Sequence, residues 1–348
     1  MFLLLFLYIL ITILLNDRFD DSGFLSKLII VPIIILLSLP LRNENYKKPL
    51  YGFLIGSGLL LMLSLFKLIS HYFEHQSLKL DVGREINVIL MGERPFLGFI
   101  YLLSFILCLY LWRIEKIKHL KIALLVGCLV FSSFILFISA RLSILSLIIV
   151  LFFSVFYTVH KKRNFLIILG AVSIIGLLVF LNPNFTKRFT AGFEQKEFNV
   201  EKLITLEPRS HIWECAVEVG DPKSLPIMGF GFRNTIDKLS ECYASRTKFL
   251  NEDHKSYFVK SRFNTHNQFL NFYLSSGVIS MILFVLFFAF LFKSNYSNYI
   301  TFSLVLALFL FCCFENVLSR QIGAMLFGTV YAMLNLLKTH NNHTRHTD

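Results

Sequence analysis

The sequence predicts an all-α polytopic membrane protein with about ten transmembrane helices and one large, mostly helical loop outside the membrane. Hydrophobic residues make up 55% of the 348 residues and charged residues only 16%, which leaves too little polar surface for a soluble protein of this size. The hydrophobic residues also occur in blocks of about 16–22 residues, close to the roughly 20 that a helix needs to cross ~30 Å of hydrocarbon.

The blocks define the predicted spans and divide the chain. The spans are 1–15, 24–41, 50–70, 95–112, 120–139, 142–160, 164–181, 267–292, 299–314 and 321–338. We expect seven spans in residues 1–181, a polar domain in 182–266, three spans in 267–338 and a disordered tail in 339–348. The first block has no basic segment before it and no small-residue cleavage site, so it is predicted to be a spanning helix and not a signal peptide. Arg141 separates two adjacent spans, because a charge at the bilayer centre costs at least ~2.5–3.5 kcal/mol.

Basic residues predict the orientation, because they cluster in every second connection between blocks. They are Arg42, Lys47, Lys48, Arg113, Lys116, Lys118, Lys121, Lys161, Lys162, Arg163, Lys293, Lys338 and Arg345. Placing this set in the cytoplasm satisfies the positive-inside rule and puts both termini there. Arg141, the 182–266 domain, Glu315 and Arg320 then all lie on the opposite, outward side. The net charge of +12 thus reflects membrane orientation, and no nucleic-acid partner is expected.

The spacing of the cysteines and histidines indicates no metal site. Four of the six cysteines lie inside apolar blocks, where they are expected to act as small hydrophobic residues. Cys215 and Cys242 both lie in the long polar loop, where they either form a disulfide or remain unpaired. His71 and His75 have the i, i+4 spacing of zinc ligands, but no third ligand is close in the sequence.

Four motifs follow one another in the second half of the chain. They are SAR at 139–141, PRSHIW at 208–213, PIMGFGF at 226–232 and THNQFLNFYLSSGVISM at 265–281. PRSHIW has the proline and the apolar spacing of a helix start. The two glycines of PIMGFGF are predicted to form either a plain turn or, less specifically, a phosphate-binding loop.

The order of these motifs resembles the O-antigen ligase and polymerase superfamily. The resemblance is good over about residues 120–290, and the HNQFL and SSG elements are its most specific part. It implies a protein of the bacterial inner membrane that transfers a glycan from an undecaprenyl-pyrophosphate carrier on the periplasmic side. The acceptor would be a sugar hydroxyl, on lipid A-core for a ligase or at the end of a growing chain for a polymerase.

Matched residue by residue, the catalytic positions of the family fall on Arg141, Arg209 and His266. The chemistry suits these residue types, because guanidinium groups can hold a departing pyrophosphate through charge-assisted hydrogen bonds. A neutral histidine can accept the proton of the attacking hydroxyl near pH 7. The outward loops contain no DxD carboxylate pair, so we expect a metal-independent, inverting reaction without a cofactor.

Four further residues are predicted to bind substrate: Trp213, Asn267, Glu315 and Arg320. Asn267 begins a polar stripe with Asn271 and Ser275, and such stripes in spanning helices face a cavity or another helix. Glu315 can orient a substrate or form an ion pair with an arginine.

Each catalytic residue also has a structural interpretation. Arg141 can anchor a helix end at the membrane interface, Arg209 can be a solvated loop charge, and His266 can be satisfied by backbone at a helix start. His211 competes for the role of base, and Arg84 and Arg94 are either carrier-binding or surface charges.

In another class of function the chain would be a lipid-linked glycan flippase or transporter. A transporter, however, is expected to place its charges near the bilayer midplane and to use broken helices, whereas the charges here gather at one face and in the polar loop.

Overall fold

The computed structural model describes residues 1–42, 46–75, 87, 89–154, 157, 208–246 and 252–345. Every regular element in these ranges is a helix. The α-helices are α1 (Phe2–Leu15), α2 (Ser22–Leu28), α3 (Ile30–Ser38), α4 (Lys47–His75), α5 (Arg94–Ile114), α6 (Lys118–Phe137), α7 (Arg141–Ser154), α8 (Pro208–Val219), α9 (Phe232–Ser245), α10 (Glu252–Ser261), α11 (Gln268–Asn295), α12 (Tyr299–Phe314) and α13 (Gln321–Arg345). Short 3₁₀ turns lie at Phe19–Asp21, Leu39–Arg42 and Val317–Ser319.

Five helical segments of the described chain are long and apolar enough to cross a membrane. They are Phe19–Ser38, Lys47–His75, Arg94–Ile114, Lys118–Phe137 and Gln268–Asn295. Three shorter apolar helices accompany them: Phe2–Leu15, Arg141–Ser154 and Tyr299–Phe314. The outer faces of α4 and α6 expose many large apolar side chains, among them Phe66 at 69% and Leu129 at 63%. Apolar faces of this size are unfavourable in water, so they indicate contact with lipid and a multi-pass membrane protein.

The predicted span 24–41 is interrupted, because α2 ends at Leu28 and α3 begins at Ile30. Pro32 has no N–H to donate to the Leu28 carbonyl, which accounts for the break. The predicted span 164–181 and Arg84 lie outside the described residues.

The last helix also differs from expectation. It continues to Arg345 through the polar segment predicted to be a disordered tail, because no glycine or proline stops it and extending a helix costs little once it exists.

Two compact units make up the structure. The first comprises residues 1–37, 192–294 and 311–329, and the second comprises 38–191, 295–310 and 330–348. Each unit groups residues that pack together. Each therefore contains three separate stretches of the sequence, unlike the consecutive segments predicted from membrane topology.

In the second unit, α5 forms the core between α4, α6 and α7. A Cβ built on Gly98 would lie 2.6 Å from the Cβ of Ala140 and 2.5 Å from the hydroxyl of Ser143, so glycine lets α5 and α7 approach closely. Tyr101 of α5 packs edge-on against Phe134 of α6 at a centroid distance of 5.2 Å.

In the first unit, α8, α9 and α10 form a small cap with a hydrophobic core of its own. Eight buried residues form this core: Ile212, Cys215, Ala216, Leu239, Cys242, Tyr243, Phe258 and Leu274. A disulfide between Cys215 and Cys242 joins α8 to α9, which decides between the two alternatives that the sequence left open. Leu274 belongs to α11, so the cap core is continuous with a predicted membrane helix.

The helix α11 is broken at Gly277, which has φ 83° and ψ 178°. The break leaves carbonyl groups without their usual helical partners, and in a membrane these groups must be satisfied. The glycine turn of the cap supplies the donors, because the N–H groups of Phe230 and Gly231 donate to the carbonyls of Leu274 and Ser275, each at 2.8 Å. These two N–H groups hold the turn against α11, which favours the interpretation of PIMGFGF as a plain turn over a phosphate-binding loop.

Candidate active site

Glu315 connects Arg209 of the cap with His266, which lies two residues before α11; both residues belong to the motifs. Its Oε1 accepts a hydrogen bond from Nη2 of Arg209 at 2.7 Å, and its Oε2 lies 3.2 Å from Nδ1 of His266. The glutamate side chain is only 10% exposed, whereas Arg209 and His266 are 30% and 28% exposed. A buried carboxylate thus holds two partly accessible groups in place.

Electrostatics keep Glu315 ionised in spite of its burial. Burial alone opposes the charged form, but the hydrogen bond and charge of His266, followed by those of Arg209, lower the pKa of Glu315 below its ordinary value. An ionised carboxylate only accepts hydrogen bonds, so Nδ1 of His266 must carry the proton that faces it. In a neutral His266 the remaining ring nitrogen, Nε2, is then the unprotonated one and can accept a proton.

The backbone around His266 is fixed by Asn316, the neighbour of Glu315. Its Oδ1 accepts hydrogen bonds from the Thr265 hydroxyl at 2.9 Å and from the Asn267 N–H at 2.8 Å. His266 itself has φ 43°, a left-handed conformation that non-glycine residues rarely adopt. Its N–H donates to Oδ1 of Asn264 at 3.1 Å. Such a strained backbone persists only where the surrounding structure holds it in place. Asn316 does so by binding both neighbours of His266 in the sequence.

Trp213 lies one helical turn after Arg209 on α8 and is partly buried. Its indole N–H donates to the Thr265 carbonyl at 3.0 Å, and its ring packs 5.9 Å from that of Phe314. The tryptophan therefore ties the cap helix to the segment that carries His266.

The polar stripe on α11 makes contacts within the protein. Asn267 caps the helix, because its Oδ1 accepts hydrogen bonds from the N–H groups of Phe269 and Leu270 at 2.9 and 3.0 Å. Asn271 donates to the Ser319 hydroxyl at 3.3 Å, and Ser275 donates to the Thr235 hydroxyl at 3.0 Å. A polar stripe predicts either a cavity or a contact with another helix. The hydrogen bonds of Asn271 and Ser275 show that this stripe contacts neighbouring segments.

Arg141 and Arg320 are the two remaining arginines of the predicted site. Arg141 begins α7 in the second unit, two residues after Ser139, which has a left-handed φ of 52°. Arg320 is exposed in the first unit, immediately before α13. His211, the alternative base, is buried with its ring 5.6 Å from that of Phe258.

Two sets of positioning residues were not predicted from the sequence. Thr265 and Asn316 adjoin His266 and Glu315 in sequence, so adjacency was the available signal. The second set is Arg18 and Asp21, between α1 and α2. The guanidinium of Arg18 donates to the carbonyls of Met228 and Gly229 at 2.9 and 2.7 Å, which holds the glycine turn. No sequence pattern links these positions, which are about 210 residues apart.

Asp21 completes this attachment of the cap. Its carboxylate accepts hydrogen bonds from the N–H groups of Phe232 and Arg233 at 2.9 and 2.8 Å, at the N-terminus of α9. Across the described part of the chain, no three His, Cys, Asp or Glu side chains come together in a way that could hold a metal ion.

This fold defines a helical, multi-pass membrane protein with an amphipathic cap. Residues 126–285 match the family model described as O-antigen ligase. The match covers somewhat less than half of the chain and includes Arg141, Arg209, Trp213 and His266. It supports the resemblance to the O-antigen ligase and polymerase superfamily that the motifs indicate. No curated protein and no solved structure matched the chain.

Proposed function

We propose that this protein is a metal-independent, inverting glycosyltransferase that moves a glycan from an undecaprenyl-pyrophosphate carrier to a sugar hydroxyl. The carboxylate of Glu315 carries this proposal, because it holds a guanidinium and an imidazole together at an accessible edge of the cap. One of these groups suits a diphosphate and the other suits a hydroxyl proton.

In the proposed reaction the acceptor hydroxyl attacks the anomeric carbon of the donor sugar. Its proton passes to Nε2 of His266 while a new glycosidic bond forms. The bond between the anomeric carbon and the pyrophosphate oxygen breaks, and the lipid pyrophosphate leaves with the electron pair. The guanidinium of Arg209, which Glu315 holds in place, is proposed to stabilise the departing charge.

Two of the predicted residues extend this site in the proposal. Arg320 is on the same connection as Glu315, where it adds positive charge for an anionic donor. Arg141 matches the family motif and is proposed as a further phosphate-binding arginine. Substitution of Arg141 tests that role independently of the Arg209–Glu315–His266 group.

We also propose the topology of ten spans, cytoplasmic termini and an active face in the periplasm of the inner membrane. The basic connections support it. The disulfide of the cap agrees with it, since disulfides persist in oxidising compartments such as the periplasm. Maleimide labelling of Cys215 and Cys242 in intact cells, with and without reductant, tests this topology. Labelling without reductant in freshly lysed cells would contradict it.

The decisive experiment is transfer in vitro with purified protein, a pyrophosphate-linked donor and EDTA. The wild-type protein is expected to transfer the glycan, whereas His266→Ala and Arg209→Ala are expected to be inactive while remaining in the membrane. Arg233→Ala and His119→Ala are matched controls, because both side chains are exposed and outside the site. Full activity in Arg209→Ala would refute its assigned role.

Lipid A-core is the acceptor in the ligase form of this proposal, and the end of a growing glycan is the acceptor in the polymerase form. Lipopolysaccharide from a deletion strain separates them on a gel. Free lipid A-core with long unattached polymer indicates a ligase, and a single repeat attached to core indicates a polymerase. A transporter would instead leave the donor bond intact in the purified assay.

A further inference from the structure

A groove of about 590 Å³ runs along the face of α8 that begins next to Arg209. Six residues line it: Ser210, Trp213, Glu214, Val217, Glu218 and Arg246. The five that belong to α8 recur at the spacing i, i+3, i+4, i+7 and i+8, so they form one stripe along the helix. From Ser210 to Glu218 this stripe extends about 12 Å.

The lining combines apolar surface with fixed charges. Trp213 is held at its indole nitrogen and against Phe314, so its ring cannot turn away from the groove. Val217 is 69% exposed, which is unusual for an apolar side chain on a folded cap.

Arg246, at the end of α9, forms ion pairs with both Glu214 and Glu218. The arginine is only 16% exposed, whereas the two carboxylates are 47% and 63% exposed. Each carboxylate has about four lone-pair sites, so both keep acceptors for a ligand after pairing with the arginine.

This combination fits a saccharide. A sugar ring offers a C–H face that packs on an indole or a valine, and hydroxyl groups that donate to carboxylates. Ligand sites in general are apolar surfaces with a few placed polar groups. A nucleic acid or an acidic peptide would face two exposed carboxylates and is disfavoured by charge.

We infer that this groove binds the sugar units of the lipid-linked donor that follow the one attached to the pyrophosphate. The inference rests on the proposed function. Arg209 holds the diphosphate there, and Trp213 of the groove lies one turn further along the same side of α8, so a glycan bonded to the diphosphate must lie close to the groove. The acceptor has to bring only one hydroxyl to His266, and its remaining sugars are under no such constraint.

The far end of the groove provides the test. Val217→Asp and Glu218→Gln are compared with wild type in the full-length purified protein, with two undecaprenyl-pyrophosphate donors, one carrying a single sugar and one carrying an oligosaccharide. Glu241→Gln is the matched control, because this glutamate on α9 is 71% exposed and outside the groove.

Both groove variants are expected to raise the KM for the oligosaccharide donor roughly three- to tenfold, the effect of losing one hydrogen bond or apolar contact. Their kcat, and their KM for the single-sugar donor, should stay near wild type.

An increase confined to the KM for the acceptor would assign the groove to the acceptor and overturn the inference. Unchanged kinetics with the oligosaccharide donor would also overturn it. Transfer from the single-sugar donor would meanwhile leave the proposed function standing, whereas failure of the wild-type protein with both donors would refute that function itself.

Discussion

Arg209 and Glu315 are 106 residues apart in the sequence, and their side chains form an ion pair of 2.7 Å between the cap and the turn after α12. The other carboxylate oxygen contacts His266, so Glu315 sets both the position of the guanidinium and the tautomer of the imidazole. The ion pair with an arginine is one of the two roles that the sequence left open for Glu315, and the contact with His266 adds to it.

Glu315→Gln should therefore lower kcat for glycan transfer by about 10²–10⁴-fold, the range over which a positioned general base contributes. An amide can donate to Nδ1 of His266, which would place the proton on Nε2 and remove the base. Initial rates at saturating donor and acceptor measure the effect. Gln321→Ala, an exposed neighbour at the start of α13, is the control and should retain wild-type rates. Equal kcat for Glu315→Gln and wild type would remove Glu315 from the mechanism.

The lowered pKa of Glu315 predicts how stability depends on pH. Because its pKa in the folded protein lies below the ordinary value of 4.5, its ionised form stabilises the fold above about pH 4.5, and this contribution is lost as the pH falls through the lower value. The difference in thermal unfolding midpoint between wild type and Glu315→Gln should stay constant from neutral pH to about pH 4.5 and shrink as the pH falls further. Midpoints measured in detergent from pH 7 to about pH 3 test this, and a difference that grows on acidification would have the wrong sign.

Gly277 is predicted to tolerate no side chain. A Cβ there would lie 1.9 Å from the carbonyl oxygen of Ile227, and the backbone has a φ of +83°. Gly277→Ala should lower the free energy of unfolding by about 2–5 kcal/mol, since it combines backbone strain with overpacking. Gly56→Ala in α4 is the control, because no atom lies within 4 Å of its Cβ position. We expect it to change stability by no more than ~1 kcal/mol. Similar unfolding midpoints for the two variants would argue against the docked glycine turn.

Asp20 and Asp21 provide a matched pair for the attachment of α9. Asp21 is 4% exposed and caps the helix from another segment, so Asp21→Ala should cost about 1–2 kcal/mol. Asp20 forms an ion pair of 3.2 Å with Arg233, but its side chain is 75% exposed, and Asp20→Ala should cost less than about 0.5 kcal/mol. Thermal unfolding of both variants, monitored by tryptophan fluorescence of the cap, tests the order. The reverse order would show that the exposed ion pair holds α9.

Local patterns in the sequence predicted much of the fold. Hydrophobic blocks located the described helices outside the cap, since the length needed to cross a bilayer is a property of consecutive residues. The start of α8 at Pro208 followed from its proline and apolar spacing. The break between α2 and α3 was not predicted, because the effect of Pro32 is small beside a continuous apolar run. The motifs around Arg209 and His266 were likewise readable, because each is contained in a few adjacent residues.

By itself, then, the sequence predicted a multi-pass helical membrane protein that resembles the O-antigen ligase and polymerase superfamily, and the family match over residues 126–285 supports that resemblance. Only the tertiary structure decided that Glu315 joins Arg209 to His266, that the glycine turn fills the break at Gly277, and that Cys215 pairs with Cys242. The physical reason is that hydrophobic periodicity and helix signals act over a few residues. A hydrogen bond between side chains a hundred positions apart depends on how whole helices pack, and no local pattern records that packing.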